Sequence, residues 1–166
     1  MDISEFNKCA DEYSNAVYRF LLKSLRDSDT AKDLVQDSFQ KLWACHGSID
    51  AAKAKAYLFA CAYNAMIDHL RRQKRYSDQM PEDSLEWSEE IKYSGLNEAL
   101  QSALQRLPDA QRSVVMLRDY EGYSYEEIAH ITKLTPSAVK VYIFRARVFL
   151  KNFLMKAGIC PETYSA

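Results

Sequence analysis

The sequence predicts an all-α protein: two small helical bundles joined by an acidic linker, the second containing a helix-turn-helix. Three observations carry this. The 166 residues include only 4 Gly and 4 Pro, and no stretch alternates apolar and polar residues between hairpin-type turns. Apolar residues instead recur at three- and four-residue spacing in both halves. Between Tyr76 and Ser94 that periodicity lapses, and Asp78, Glu82, Asp83, Glu86, Glu89 and Glu90 accumulate before the first cation, Lys92. Such a run has the composition of a solvated tether. The chain therefore divides into 1–75, a linker at 76–95 and 96–166. The length fits one ordinary domain or two small ones, and 48% hydrophobic residues is an ordinary globular content.

The first bundle is expected from Phe6 to Lys74. Within it, Leu34, Val35, Phe39, Leu42 and Trp43 form one apolar stripe at helical spacing, leaving Asp33, Gln36, Asp37, Gln40 and Lys41 on the polar side. Pattern alone says only that this is an amphipathic helix. A longer helical run follows from Ala56 to Arg75. Its start is rich in aromatics (Tyr57, Phe59, Tyr63) and its end is basic (Arg71, Arg72, Lys74, Arg75). Aromatic faces stack on unpaired bases and cations follow phosphates, so this composition suits a separated nucleic-acid strand. Most of the apolar residues, Leu58 and Cys61 among them, are equally suited to a core.

In the second bundle, Ser124-Tyr125-Glu126-Glu127 is a capping box that starts a helix carrying Ile128, Ala129 and Ile131 on one face. Lys133-Leu134 makes a short turn. Thr135-Pro136 then supplies an N-cap followed by a proline whose missing N–H is not needed there. In the helix that follows, Val139, Ile143, Ala146 and Leu150 fall on the inward side. Two helices so joined form a helix-turn-helix, which docks its second helix into the DNA major groove. Ser137, Lys140, Val141, Phe144, Arg145 and Arg147 occupy the other faces of that helix, with Lys151 beyond them, and the cations suit phosphates or base edges.

Charge sharpens this expectation. A protein that binds duplex DNA by its own electrostatics is usually strongly basic, whereas this chain has a formal net charge of -1. Its cations gather at Arg71 to Arg75 and from Lys140 to Lys156, so unaided DNA binding should be weak. Cysteines at 9, 45, 61 and 160 show no Cys-x-x-Cys spacing, and His46, His69 and His130 are scattered. Neither a metal site, a disulfide framework nor a catalytic constellation is indicated, and no cofactor is expected. The acidic start and the lack of a long apolar run predict a soluble cytoplasmic protein without membrane insertion.

From Leu107 to Arg147 the chain strongly resembles region 4 of bacterial sigma factors, through Leu107-Pro108-Asp109-Ala110-Gln111-Arg112, Tyr120-Glu121-Gly122-Tyr123-Ser124 and Phe144-Arg145-Ala146-Arg147. Asp33-Leu34-Val35-Gln36-Asp37-Ser38-Phe39 is similar to the region 2 helix by which these factors grip the clamp coiled coil of RNA polymerase. The two signatures stand in the family's order. The resemblance implies that Asp33, Gln36, Asp37, Gln40 and Lys41 meet core polymerase, whose flap is a second contact. It also implies that Tyr57, Tyr63 and Asn64 handle the minus-ten element, with Asn64 on a flipped-out base, while Arg71, Arg72, Lys74 and Arg75 hold the backbone. Ser137, Lys140, Val141, Phe144, Arg145 and Arg147 would read the minus-thirty-five element. An anti-sigma factor is a potential further partner, and the acidic connector could mimic transcript charge.

With about ten residues before the first helix and about twenty between the bundles, the larger members' extra regions do not fit, which points to the extracytoplasmic-function type. Three departures stand out. Tyr57 replaces a frequent Trp, Lys133 a frequent Gly in the turn, and Lys140-Val141-Tyr142 a frequent Lys-Ser-Arg. The last of these bears on the upstream promoter sequence. A helix-turn-helix regulator working without polymerase is the alternative reading, but such a protein has no use for the segment from Asp33 to Trp43. A nucleic-acid enzyme would need an acid–base or metal cluster beside the basic segments.

Overall fold

The computed structural model describes residues 1–78 and 95–159, so most of the acidic linker lies outside the described residues. Among these there are seven α-helices and no strand. The first bundle holds α1 (Ile3–Leu25), α2 (Ser28–Ala44) and α3 (Ala51–Ser77), each packed against the other two. The second holds α4 (Leu96–Arg106), α5 (Asp109–Asp119), α6 (Tyr125–Thr132) and α7 (Pro136–Lys156), with α7 packed on the other three.

Local chemistry sets the helix ends. α1 starts earlier than the expected Phe6, because Asp2 and Glu5 form a reciprocal capping box: Glu5 N–H donates to Asp2 Oδ1 and Asp2 N–H to Glu5 Oε2, both at 2.8 Å. Asp27 caps α2, and the hydrogen bonds from the Thr30 hydroxyl and the Asp29 N–H hold its carboxyl below the usual range. The second capping box is where the sequence places it, with Glu127 N–H donating to Ser124 Oγ and Ser124 N–H to Glu127 Oε2. Lys133 ends α6 in the left-handed region at φ 58°, the conformation for which glycine is the usual residue. Thr135 then accepts from the Ala138 N–H and starts α7, with Pro136 in its first turn.

The core is one connected apolar cluster that crosses both bundles. Leu21, Leu42, Leu58, Phe59 and Met66 fill the first bundle, and Leu104, Leu117, Ile128, Ile131 and Ile143 the second. Burying each side chain of this size contributes about 1.5–3 kcal/mol relative to exposure. The join lies where α3 meets α6 and where α1 meets α4 and α5. Phe59 packs edge-to-face with Phe20 of its own bundle and with Tyr123 of the other, each with ring centroids 5.6 Å apart. Around this apolar join runs a polar rim. Lys55 Nζ is 3.9 Å from Glu121, Lys74 Nζ is 3.6 Å from Asp109, and Lys23 Nζ lies 3.7 Å from the centroid of Tyr120. The Gln105 amide donates to the Lys23 carbonyl.

Candidate nucleic-acid interface

The polar face of α2 is presented as expected. Asp33, Gln36, Asp37, Gln40 and Lys41 are all exposed, while Ala31, Ser38 and Leu42 are buried. Leu34, Val35 and Phe39 are half-buried against the core. Trp43 departs from its expected inward place: it is 44% exposed, stacked on His46 at 4.5 Å and touched at its edge by Phe6. Position 43 lies in the last turn of α2, where the ring is met by Phe6 of α1 and by His46 of the local 3-10 turn from His46 to Ser48, and the rest of it faces solvent.

α3 holds the residues expected at the minus-ten element, and it treats them unequally. Arg71, Arg72, Lys74 and Arg75 are exposed in its last turns, and Asn64 is half-exposed midway. Tyr63, expected at the minus-ten element, is 8% exposed and packs in the core of the free chain. Burial pushes its phenol upward in pKa. Positions 58, 59, 62, 63 and 66 share one helix face, and that face is the one α1, α2 and α6 cover. Tyr57, one position round, is half-buried and donates its hydroxyl to Cys45 Sγ at 3.6 Å. Lys74 is already held by Asp109 from the second bundle.

α7 is different. Val139, Ile143 and Ala146 are buried as expected and Leu150 is half-buried. Ser137, Lys140, Val141, Phe144, Arg145 and Arg147 are all exposed. Phe144 is 69% exposed and Val141 and Val148 each 43%, an apolar strip flanked by cations. Arg147 is engaged: its guanidinium donates to both oxygens of Asp119 at the end of α5, at 2.6 and 3.3 Å. No local pattern signals this pair, since the partners lie 28 residues apart. Nor does one signal the pairing of Phe59 with Tyr123. Among the described residues no group of three His, Cys, Asp or Glu side chains could hold a metal ion, and no helix is long and apolar enough to cross a membrane.

Two joined helical bundles, one with an exposed polar helix face and one with a capped helix pair offering a basic and apolar second helix, define an all-helical protein of two bundles. The comparisons are specific. Residues 9–76 match the family model for Sigma-70 region 2, and residues 97–150 match that for Sigma-70, region 4. The chain is 35% identical over 164 residues to the ECF RNA polymerase sigma factor SigM of Bacillus subtilis, covering 90% of this chain and 94% of that protein. It is 30% identical over 151 residues to the ECF sigma factor SigM of Mycobacterium tuberculosis, covering 90% and 76%. Among solved structures it resembles the sigma factor RpoE from Bartonella quintana, in complex with the anti-sigma factor NepR, with a TM-score of 0.76 and 27% identity over 92% of this chain and 98% of that one. The chain belongs to the sigma-70 family of RNA polymerase sigma factors, in its extracytoplasmic-function type. It is an alternative sigma factor, a polymerase subunit that directs promoter recognition, DNA melting and initiation.

Proposed function

We propose a division of labour among three surfaces. The exposed face of α2, from Asp33 to Lys41, binds the clamp coiled coil of core polymerase, and the second bundle meets the flap. Asn64 captures an extruded minus-ten base, Tyr57 lends a stacking face, and Arg71, Arg72, Lys74 and Arg75 hold the backbone of the melted strand. Tyr63 supports this surface from the core. On α7, Lys140 contacts base edges of the minus-thirty-five element, while Val141 and Phe144 contact apolar groups such as thymine methyls. Ser137, Arg145 and Arg147 anchor phosphates. The units are 1–75, a linker at 76–95 and 96–166, and the protein works in the cytoplasm. An anti-sigma factor is a potential partner, because the RpoE relative is held by one.

The observation that carries this reading is that region 2 and region 4 matches stand in order on one chain while the α2 and α7 faces are both left exposed. Titration of the chain with purified core polymerase, followed by transcription from a library of promoter fragments, tests it. Gln36→Ala and Asp37→Ala should each weaken association with core by on the order of 1 to 2 kcal/mol at unchanged helical content. Unchanged affinity would remove α2 from the interface. A regulator acting without polymerase would not comigrate with the core enzyme at all.

A further inference from the structure

Two of the four cysteines converge on one atom. Cys45 is the C-cap of α2, and its Sγ accepts the Tyr57 hydroxyl at 3.6 Å. Cys61 stands one helical turn beyond Tyr57 on α3, and its thiol faces the same hydroxyl. Both cysteines are half-exposed, whereas Cys9 is buried in α1. The Tyr57 hydroxyl thus interacts with a thiol at the end of one helix and with a thiol in the middle of the next. An S–S bond of about 2 Å would require that hydroxyl to move out.

We infer that Cys45 and Cys61 form a modification site, a dithiol that a hydroperoxide closes to a disulfide, stapling the end of α2 to α3 and displacing Tyr57. The chemistry balances with the peroxide as the sole oxidant. Cys45 sulfur, as thiolate, attacks one peroxide oxygen, the O–O bond breaks, and the departing oxygen leaves as water or alcohol after taking a proton. Cys45 is then a sulfenic acid. Cys61 sulfur attacks the Cys45 sulfur, the S–O bond breaks, and the hydroxyl leaves as water with the Cys61 proton. Two thiols lose two electrons and the peroxide gains them.

The surroundings suit these unequal roles. Burial raises the Cys61 thiol in pKa, opposed by the Tyr57 hydrogen bond and the Lys41 cation, so it is better suited to resolve than to attack first. Donation of the Tyr57 hydroxyl to Cys45, together with burial and the Cys61 thiol, holds the phenol neutral well above its usual range. The phenol therefore remains a hydrogen-bond donor between the two sulfurs until one of them is oxidised.

The consequence for transcription rests on the proposed role of Tyr57 at the minus-ten strand, and the test separates the two. Trypsin cuts after Lys53 and Lys55, placing Cys45 and Cys61 in different peptides, 42–53 and 56–71. After treatment of the full chain with hydrogen peroxide, mass spectrometry should find these peptides linked and lighter by two hydrogens. Dithiothreitol should separate them, and neither Cys45→Ser nor Cys61→Ser should give the product. Tyr57→Phe, which removes the intervening hydroxyl, should speed closure several-fold. Absence of the linked peptide in both the parent and Tyr57→Phe overturns the site, as does irreversible oxidation of one cysteine in its place. Oxidised chain, freed of peroxide and assembled with core polymerase, should form open complexes several-fold more slowly than reduced chain, and Cys45→Ser should be indifferent to the treatment. A linked peptide with an unchanged open-complex rate leaves the modification site standing and removes Tyr57 from the melted strand.

Discussion

α3 and α7 are the two long helices assigned to promoter DNA, and they are built in opposite ways. α3 is packed against α1, α2 and α6, so Leu58, Phe59, Ala62, Tyr63 and Met66 are buried and the rings of Phe59 and Tyr63 serve the core. α7 packs only by the face carrying Val139, Ile143, Ala146 and Leu154, and leaves Val141, Phe144 and Val148 in water. An apolar side chain contributes to stability when covered and is available to a ligand when it is not, so the two helices divide these uses. The surface proposed for the minus-ten element therefore consists of polar residues, with Tyr57 beside them, at the margin of a packed helix. The surface proposed for the upstream element lies exposed along one side of α7.

The largest effect should come from breaking the covered side. Phe59→Ala empties a site fully buried between Phe20 and Tyr123, and large-to-small changes of this kind cost about 3–5 kcal/mol. Urea unfolding should show that loss, with both bundles affected because the ring bridges them. A loss under about 1 kcal/mol would mean that α3 does not share its core with the second bundle.

Next in size is the exposed side of α7. Lys140→Ala should relax sequence preference at the upstream element by about 1–3 kcal/mol if the ammonium touches a base edge. Arg147→Ala should weaken binding to all sequences and flatten the salt dependence by about one unit of slope. The ion pair with Asp119 sharpens the second expectation, because Arg147 must exchange one anion for another on binding DNA. Asp119→Asn should therefore strengthen binding without altering base preference. Holoenzyme selection on randomised upstream elements reads both. A Lys140 variant with the parent's full preference and slope would take this helix out of the groove.

A smaller effect is expected at the margin of α3. Asn64→Ala removes one half-exposed amide, a change of about 1 kcal/mol, and should slow open-complex formation and alter preference at one minus-ten position. Docking upstream should persist. Permanganate footprints and base preference both identical to the parent's would withdraw the residue.

How much of this was legible follows from the range of each interaction. The helix pair of the second bundle was readable because its signals are local: Ser124 with Glu127, and Thr135 with Pro136 three residues past the end of α6. The start of α1 carries a signal of the same kind, since Asp2 and Glu5 have the spacing of that capping box, but it lies ahead of the apolar periodicity that begins at Phe6. Periodicity places Trp43 inward, but it reads only the direction of a side chain and not how completely its neighbours cover it, and Phe6 and His46 leave 44% of this residue exposed. Tyr63 shows the same limit from the other direction. Aromatic composition suits both a stacking platform and a core, and only the packing of α1, α2 and α6 decides between them. The contacts of Phe59 with Tyr123 and of Arg147 with Asp119 join distant positions and had no local signal.

Phe144 gives the smallest expected change in stability and the cleanest separation of the two uses of an apolar residue. Its ring is 69% exposed, lies outside the apolar cluster and sits one turn beyond Lys140. Replacing it with Ala removes only the lesser, covered part of a mostly exposed ring, and alanine has the better helix propensity, so folding stability should stay within about 0.5 kcal/mol of the parent. Solubility should improve, since a flanking apolar strip is interrupted. If the ring meets a thymine methyl in the groove, however, upstream binding should fall by about 1 kcal/mol at one position only, with an unchanged salt slope because no phosphate contact is lost. Measuring unfolding and holoenzyme base preference on the same variant distinguishes the cases. A drop in stability with intact preference would place Phe144 in the core alongside Phe59, and the contrast between α3 and α7 would fail at its most exposed residue.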